Sequence, residues 1–436
     1  MSYKRTCVSM AVFAAIALLY GCSANSPGGA EIDRPSPKAT DAYTGGPVEL
    51  LVQDRNTGIT EEEFQQYFAQ PVKAKNPDIT MKLTKETSIE KLLASGTTPD
   101  LVAVSNTQLG AYIEIGYPED LNPMIRRFNV DVSRIEPAIV EVIQTVSRNG
   151  AMYGLPFGMN HGALMYNKDL FDKFGIPYPK DTVTWEEYLD LSRRLTRMDG
   201  GVQYIGGTPN NVLNLIRQYG ASNIDAKDEK AVFTTDRHKA VFSLLQQFFT
   251  IPGLVVGNTY LPINLNGGTL AMKTDWIASI SSSVVKSKPK FEWDLAGYPT
   301  FKERPNLGNP VDFHMLTVSK STKHKEAAYR VLLTMLSEEA QTALSKNGRL
   351  SPLQDPKIKM SFAVDANVFA GKNLQAIFKT SPSPLPDYSI WKAIADPFLN
   401  DAAKEVAVNK KDINTALREA EEKANLAIQK ERNAKR

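Results

Sequence analysis

The stretch VELLVQDRNTGITEEEF, residues 48–64, carries the clearest indication of the fold class. Val48 to Val52 form an apolar run that is typical of a buried strand. The helix after it has strong N-terminal signals, with Thr60 as the N-cap and Glu63 as the second half of a capping box. A strand followed at once by a capped helix is the repeating unit of an α/β layer.

Two further strand–helix units follow this stretch. Residues 79–83 predict a second strand, and Thr87 with Glu90 predicts a second capping box behind it. Residues 101–104, LVAV, predict a third strand. Three units of this length indicate a mostly parallel, doubly wound α/β lobe.

The remainder of the chain is richer in helix. Thr184 and Glu187 predict a third capping box, and residues 413–428 predict an amphipathic helix at the C-terminal end. Strand character returns in three segments: residues 268–272, 291–298 and 313–318.

The composition is close to that of soluble globular proteins. The chain has 436 residues, of which 42% are hydrophobic and 23% are charged. This length allows two or three domains, or two lobes of one protein. Lysine and arginine number 51, aspartate and glutamate 48, and the net charge is only +3. Such a balance provides no basic surface for phosphates, so it argues against nucleic-acid binding.

The N-terminus departs from this average. Lys4 and Arg5 precede an apolar run from Val8 to Tyr20, and residues 1–21 contain no acidic residue. We therefore predict a secretory signal peptide over this segment, because the apolar run is shorter than the ~20 residues that span a bilayer as a helix.

The end of the signal, Leu19-Tyr20-Gly21-Cys22, resembles the lipobox of bacterial lipoproteins, in which the cysteine is lipidated and becomes the mature N-terminus. Tyr20 departs from the smaller residue that is usual there, and the alternative is a buried structural cysteine. Cys7 lies within the signal, so the mature chain would have no internal disulfide.

Residues 22–45 are rich in Ser, Pro, Gly and Ala, which predicts a flexible tether. We expect a protein that is lipid-anchored at Cys22 on the extracytoplasmic face of the cell membrane.

The centre of the chain contains a series of recognisable segments: YGLP at 153–156, GALMYNKDLF at 162–171, FGIP at 174–177 and TWEE at 184–187. Further along are GTLAM at 268–272 with Asp275 and Trp276, DFHMLTVSK at 312–320, and SEEAQ at 337–341. In this order they resemble family 1 extracellular solute-binding proteins, the maltose-binding-protein-like receptors of carbohydrate ABC importers. The resemblance covers residues 46–436.

The resemblance implies a type II periplasmic-binding-protein-like α/β fold with two lobes joined by crossing strands, each lobe having a mixed, mostly parallel sheet flanked by helices. It implies an N-terminal lobe of residues 46–161 plus 297–336 and a C-terminal lobe of residues 162–296 plus 337–436. A solute, most simply an oligosaccharide, would be captured between the lobes and delivered to the permease of an ABC transporter. We expect the receptor to be a monomer.

Open α/β sheets bind ligands beyond the carboxyl ends of their strands. Polar residues at predicted strand ends are therefore candidate ligand contacts: Asp54, Arg55, Asn56, Ser105, Asn106, Asn160 and His161. The segments that carry the resemblance add Asp275, Trp276, Asp312 and His314. The alternative for most of them is a local turn or helix-capping role.

Aromatic side chains are informative because a ring can cover the C–H face of a sugar while polar groups bind its hydroxyls. The candidates are Phe157, Trp276, Tyr388 and Trp391, with Trp276 the strongest. The alternative for Tyr388 and Trp391 is packing of the proline-rich loop 381–386. Trp185 and Trp293 are predicted to be core residues.

Other functional classes have weaker support. The sequence has no GxSxG, HExxH, CxxC, P-loop or GxGxxG pattern, and its four histidines lack metal-ligand spacing, so we predict no enzyme, metal or cofactor. A glycosidase needs only two carboxylates placed by the fold, so a carbohydrate-active enzyme remains an alternative. A structural cell-envelope lipoprotein is another. Turnover of oligosaccharides would indicate a carbohydrate-active enzyme. A melting temperature that no solute changes would indicate a structural lipoprotein.

Overall fold

The computed structural model describes residues 43–260, 268–385 and 388–434, with Val285 and Lys286 described by their backbone only. The predicted signal peptide, Cys22 and most of the tether lie outside the described residues. Within the described part of the chain, no helix is both long enough and apolar enough to cross a membrane.

The strands are β1 Val48–Arg55, β2 Ile79–Thr84, β3 Leu101–Ser105, β4 Leu155–Asn160, β5 Gly162–Asn167, β6 Arg197–Asp199, β7 Val202–Tyr204, β8 Val255–Val256, β9 Thr259–Tyr260, β10 Met272–Trp276, β11 Trp293–Gly297, β12 Leu307–Pro310, β13 Asp312–Val318 and β14 Ser381–Ser383. The α-helices are α1 Glu61–Phe64, α2 Gln70–Lys75, α3 Ile89–Ala94, α4 Leu109–Glu114, α5 Asn122–Arg127, α6 Pro137–Ser147, α7 Lys168–Phe174, α8 Trp185–Leu195, α9 Val212–Gln218, α10 Asp236–Phe249, α11 Ile277–Ser287, α12 Lys325–Met335, α13 Glu338–Lys346, α14 Pro356–Met360, α15 Lys392–Val408 and α16 Ile413–Ala434. A π-helical segment, Gln65–Ala69, joins α1 to α2, and 3₁₀ segments occur at Val132–Arg134, Asn367–Phe369 and Leu374–Lys379.

The first sheet has five strands in the order β2-β1-β3-β13-β4. β1 is parallel to β2 and β3, whereas β13 is antiparallel to β3 and β4, so the sheet is mixed. The carboxyl ends of β1, β3 and β4 and the start of β13 therefore meet at one edge. This edge is where an open α/β sheet binds its ligand.

The second sheet has three strands in the order β10-β5-β11, and both outer strands are antiparallel to β5. The prediction of a mostly parallel sheet is wrong for these strands. Among the described residues, isolated parallel bridges join Ile205 to Leu270 and Thr208 to Lys273 beside β10. An apolar run in the sequence indicates that a strand exists, but its direction depends on how the connecting segment returns.

Apolar side chains form two buried clusters, one around the first sheet and one around α7–α10, α15 and α16. β5 lies between them. Ala163 and Met165 belong to the first cluster, and Leu164 and Tyr166 belong to the second. This division follows from the alternation of side chains along a strand.

The chain passes from the first sheet to the second between β4 and β5. The helix α13 and the loop that follows it still contact the first lobe, because Gln341 donates a hydrogen bond to the Phe157 carbonyl of β4 and Arg349 pairs with Glu63 of α1. Only later does the chain reach the second sheet, where the Asn373 backbone N–H donates to the Asp294 side chain. The return to the second lobe therefore lies later than the predicted boundary at residue 337.

Candidate functional site

The first crossing brings several predicted site residues together. Asn160 ends β4 opposite Asp312 at the start of β13, and its amide nitrogen donates to the Asp312 carboxylate at 3.3 Å. The Asn160 side-chain oxygen accepts from the backbone N–H of Ala278, at the start of α11, at 3.3 Å. Asn160 therefore links both sheets at the edge where strand ends meet.

Asp275 and Trp276 end β10 beside the same crossing, where Trp276 pairs with Gly162. Asp275 accepts from the Trp276 backbone N–H at 2.8 Å and forms an ion pair with Lys273 at 2.7 Å. The Trp276 side chain is half-buried, and no aromatic ring of the described residues packs on its indole. We refer to Asn160, Asp275, Trp276 and Asp312 as the crossing cluster.

The Asp312 carboxylate retains free hydrogen-bonding capacity. Burial raises its pKa, and the hydrogen bond from Asn160 acts in the opposite direction. That bond engages Oδ2 only, and Oδ1 accepts no hydrogen bond from a described residue. Asp312 can therefore accept a further hydrogen bond from a solute.

The turn after β1 is different, because the fold itself occupies its polar atoms. Asp54 is buried, accepts from the backbone N–H and the hydroxyl of Thr57 at 3.0 and 2.6 Å, and pairs with Lys85 at 2.7 Å. Asn56 is exposed and adopts a left-handed φ of 58° within the turn. Asp54 and Asn56 therefore act within the turn, which is the alternative to a ligand contact given above. Arg55 is half-buried and makes no hydrogen bond or ion pair with a described residue.

The two candidates after β3 also act within the fold. The Asn106 side chain is buried, donates to the Val311 carbonyl at 3.3 Å and accepts from the Phe313 backbone N–H at 3.3 Å. It fastens β3 to β13, which corrects the prediction of a ligand contact. The Ser105 hydroxyl is hydrogen-bonded to the Thr107 hydroxyl at 2.8 Å and remains half-buried at the sheet edge.

His161 does not belong to the crossing cluster. It lies between β4 and β5 and is buried, with Nδ1 3.2 Å from the Gly162 carbonyl. It lines a separate cavity of about 200 Å³ together with the paired side chains of Glu136 and Lys359. Burial lowers the pKa of His161, so its ring is neutral at physiological pH. The prediction that it contacts the solute with Asn160 is therefore corrected.

Two of the four aromatic residues predicted to stack on a sugar lie in the buried apolar clusters instead. Phe157 is completely buried and packs edge-on against Phe68 at 5.2 Å, so it has no free face for a sugar. Trp391 is buried in the second cluster and donates through its indole N–H to the Asp228 carbonyl at 3.0 Å. Trp185 and Trp293 are buried, as predicted.

Tyr388 lies at a contact between the two lobes. Its hydroxyl approaches Gly110 so closely that a Cβ there would lie 1.5 Å from it. The Arg148 guanidinium lies 5.6 Å from the centre of its ring and pairs with Asp228 at 2.6 Å. Arg148 follows α6 of the first lobe, and Asp228 is bonded to Trp391 of the second cluster. We call Arg148–Asp228 the interlobe ion pair.

His314 is held by residues far away in the sequence. It lies on β13 opposite Ser105, and Arg349 Nη1 is 3.1 Å from its Nδ1. Arg349 in turn binds Glu63 through two hydrogen bonds of 2.5 and 3.0 Å. Burial, together with the Arg349 charge, lowers the pKa of His314 to about 3, so its ring is neutral.

The side chains at this edge have the chemistry that hydroxyl-bearing solutes require. It offers an indole face, a carboxylate, an amide and a neutral imidazole. In the described ranges there is no group of three or more histidine, cysteine, aspartate or glutamate side chains that could hold a metal ion.

Comparison with known proteins identifies the class. Residues 68–357, more than half of the chain, match the family of bacterial extracellular solute-binding proteins. The chain belongs to this family. A binding protein of Brucella abortus (strain 2308) is 22% identical over 407 residues, which cover 88% of this solute-binding protein and 94% of the relative.

Solved structures resemble this solute-binding protein over most of its length. An ABC substrate-binding protein from Listeria monocytogenes, in complex with cycloalternan, has a TM-score of 0.70 and 21% identity, and the match covers 88% of this chain and 99% of that one. A cyclic α-maltosyl-1,6-maltose binding protein from Arthrobacter globiformis has a TM-score of 0.68 and 16% identity, with 88% and 100% covered. At these identities the likeness shows the fold, which is the type II periplasmic-binding-protein-like architecture. The family and these neighbours are binding proteins and not enzymes.

Sequence reasoning missed two ion pairs that join residues far apart in the chain. Glu63 and Arg349 are separated by 286 positions, and Arg148 and Asp228 by 80. Glu63 was assigned to a helix cap, and no local pattern marks the other three. Only the folded chain brings each pair together.

Proposed function

We propose that this solute-binding protein is the carbohydrate receptor of an ABC importer, that it captures an oligosaccharide at the crossing cluster, and that it delivers the sugar to the permease. The observation that carries the proposal is the half-buried indole of Trp276 beside Asn160 and Asp312, whose carboxylate can still accept a hydrogen bond. A sugar has apolar C–H faces and a rim of hydroxyls, so it matches an aromatic face flanked by polar groups.

The solved neighbours support the same solute class. Their ligands include cycloalternan, mannobiose and D-mannitol, each of which is rich in hydroxyl groups. A metal solute is less well served, because the crossing cluster offers two carboxylates, of which Asp275 is already paired with Lys273.

Replacing Trp276 tests the proposal. A thermal-shift screen of cycloalternan, mannobiose, mannotriose, D-mannitol and D-tagatose would find a sugar, because a ligand at 100 times its Kd adds about 2.7 kcal/mol of stability. Calorimetry with that sugar should give at least tenfold weaker binding for Trp276→Ala, about 1.4 kcal/mol, with little change in the melting of the free protein. Tyr178→Ala, at an exposed aromatic of the second lobe, is the matched control. Unchanged affinity with a large loss of stability would make Trp276 a core residue and refute its role.

Closure of the lobes would follow from a sugar that contacts both. A ligand shifts a conformational equilibrium only if it binds one state better than the other. The permease would then recognise the closed, loaded form. Small-angle scattering should show a smaller radius of gyration at saturating sugar, and an unchanged radius would contradict this mechanism.

The anchor is the second part of the proposal. Two acyl chains at Cys22 would hold the protein at the membrane, since each buried CH₂ contributes about 0.8 kcal/mol. Cys22→Ser should release the protein to the medium or leave the precursor uncleaved. The lipobox prediction would be wrong if the Cys22→Ser protein still entered the detergent phase and kept the electrophoretic mobility of the unmodified protein.

We further propose that the receptor is a monomer and leaves its sugar intact. Prolonged incubation followed by chromatography should recover the oligosaccharide unchanged. Cleavage would instead indicate a carbohydrate-active enzyme, and the absence of any thermal shift across the sugar panel would favour a structural lipoprotein.

A further inference from the structure

We propose that Arg349 holds His314 in the neutral tautomer that carries its hydrogen on Nε2, and that this N–H binds an acceptor oxygen of the solute. The solute part of this inference rests on the proposed function. Arg349 Nη1 lies 3.1 Å from His314 Nδ1, and a guanidinium nitrogen can only donate. Nδ1 must therefore accept, which leaves the hydrogen of a neutral ring on Nε2.

Arg349 has little freedom to release this contact. Its Nε and Nη2 bind the two carboxylate oxygens of Glu63, and Nη1 also donates to the Thr57 carbonyl at 3.4 Å. Two-point binding of a guanidinium to a carboxylate fixes its orientation as well as its charge. Gly158 makes room for the side chain, since a Cβ there would lie 2.8 Å from Arg349 Cγ.

The groups that face His314 keep it neutral. Burial lowers the pKa of His314 most, the adjacent Arg349 charge lowers it further, and Asp54 of the turn after β1 acts in the opposite direction. Glu63 of α1 reaches the histidine only through Arg349, whose charge it neutralises in part. Phe157 of β4 contributes a ring whose centre lies 6.0 Å away.

The position of His314 directs it towards the solute. Asp312 and His314 are two residues apart on β13, so they share one face of the sheet, and both are half-buried, whereas Phe313 between them is completely buried. No described residue forms a hydrogen bond with His314 Nε2. Two residues along a strand span about 6.6 Å. A donor and an acceptor at this spacing fit a hydroxylated ring that offers a ring, glycosidic or hydroxyl oxygen to His314 and a hydroxyl hydrogen to Asp312.

The free protein tests the tautomer directly. Nitrogen NMR with ¹⁵N-labelled histidine should show a pyridine-like Nδ1 and a pyrrole-like Nε2 for His314 from pH 8 to pH 5. Arg349→Met should raise the pKa of His314 and remove the donor to Nδ1, so both neutral tautomers should become populated and the two nitrogen shifts should move towards each other. That variant can lose stability with Glu63 unpaired, so Arg349→Lys, which keeps the charge and one donor, is the milder variant. A protonated Nδ1 or a charged ring in the unmodified protein at pH 6 would overturn the inference.

Affinity for the sugar found in the screen tests the contact. His314→Gln, whose amide nitrogen can replace the Nε2 donor, should bind within threefold of the unmodified protein. His314→Ala should bind at least tenfold more weakly. If Trp276→Ala loses binding and His314→Ala does not, this inference fails while the proposed function stands. If neither variant changes affinity for a sugar that binds, the proposed site itself fails.

Discussion

The turn after β1 and the crossing cluster contain similar residues at similar places, but they use them differently. Both contain an aspartate and an asparagine at the same edge of the first sheet. Predicted strand ends nominate Asp54, Asn56 and Asn160 as ligand contacts, and the family resemblance nominates Asp312. In the turn, Asp54 is saturated by Thr57 and Lys85. At the crossing, Asp312 receives one hydrogen bond, from Asn160, and one of its oxygens has no partner among the described residues.

The difference indicates that a place at a strand end does not by itself make a polar residue a ligand contact. Asp, Asn and Ser also occur there to close turns through local hydrogen bonds. What distinguishes a ligand contact is hydrogen-bonding capacity that the fold leaves unused. The predictions below test this distinction by comparing stability with affinity.

The largest effect should come from Asp54→Ala, and it should be on stability. The backbone N–H of the buried Thr57 would lose its acceptor, and Lys85 would lose its partner. Leaving a buried donor unsatisfied costs about 1–3 kcal/mol, which denaturant unfolding would measure. Asp54→Asn is the matched control: it retains an acceptor for Thr57 and should lose less. Weaker sugar binding at unchanged stability would place Asp54 in the site and remove the contrast.

Asp312→Ala should show the opposite pattern. The variant removes an acceptor for the solute while breaking one hydrogen bond within the protein, that from Asn160. We expect about tenfold weaker sugar binding by calorimetry, or about 1.4 kcal/mol, with a melting temperature close to that of the unmodified protein. Asp312→Asn keeps an acceptor oxygen and should bind with intermediate affinity. Equal affinity for all three proteins would contradict a role for this side chain.

The smallest effect should come from the interlobe ion pair. Arg148 and Asp228 are both partly exposed, and exposed pairs typically contribute about 0.2–1 kcal/mol. We expect the pair to form only when the lobes are closed, so Arg148→Gln and Asp228→Asn should each weaken sugar binding by about two- to fivefold. The double variant should bind the sugar no more weakly than either single variant. Additive losses would show that the two side chains act independently.

The sequence predicted local features well where the responsible contacts are local. Thr184 and Glu187 form the predicted capping box, with both hydrogen bonds present. The predicted second box is wrong: Ser88 rather than Thr87 caps α3, which places Lys91 and not Glu90 at the third helical position. Thr60 caps α1 as predicted, but the Glu63 side chain binds Arg349 instead of completing the box.

The site could be predicted only in part, because its geometry depends on long-range pairing. The crossing cluster combines residues from β4, β10 and β13, and Asn160 meets Asp312 across 152 positions. The sequence nominated all four members as ligand contacts. It nominated Asn106 and Phe157 equally, although the fold buries both side chains and Asn106 is hydrogen-bonded within the sheet. Arg349 can contact His314 only because the segment after α13 packs against the first lobe. The amphipathic pattern of a helix shows which of its faces is buried, but it does not show against which lobe.

The central claim is that a sugar binds at the crossing of the two lobes, and a crystal structure with the sugar from the thermal-shift screen tests it most directly. The account predicts electron density for a sugar ring stacked on the Trp276 indole, with one hydroxyl within hydrogen-bonding distance of Asp312 and one oxygen within that distance of His314 Nε2. A sugar held elsewhere, with the Trp276 indole and the Asp312 carboxylate both free of contact, would contradict it.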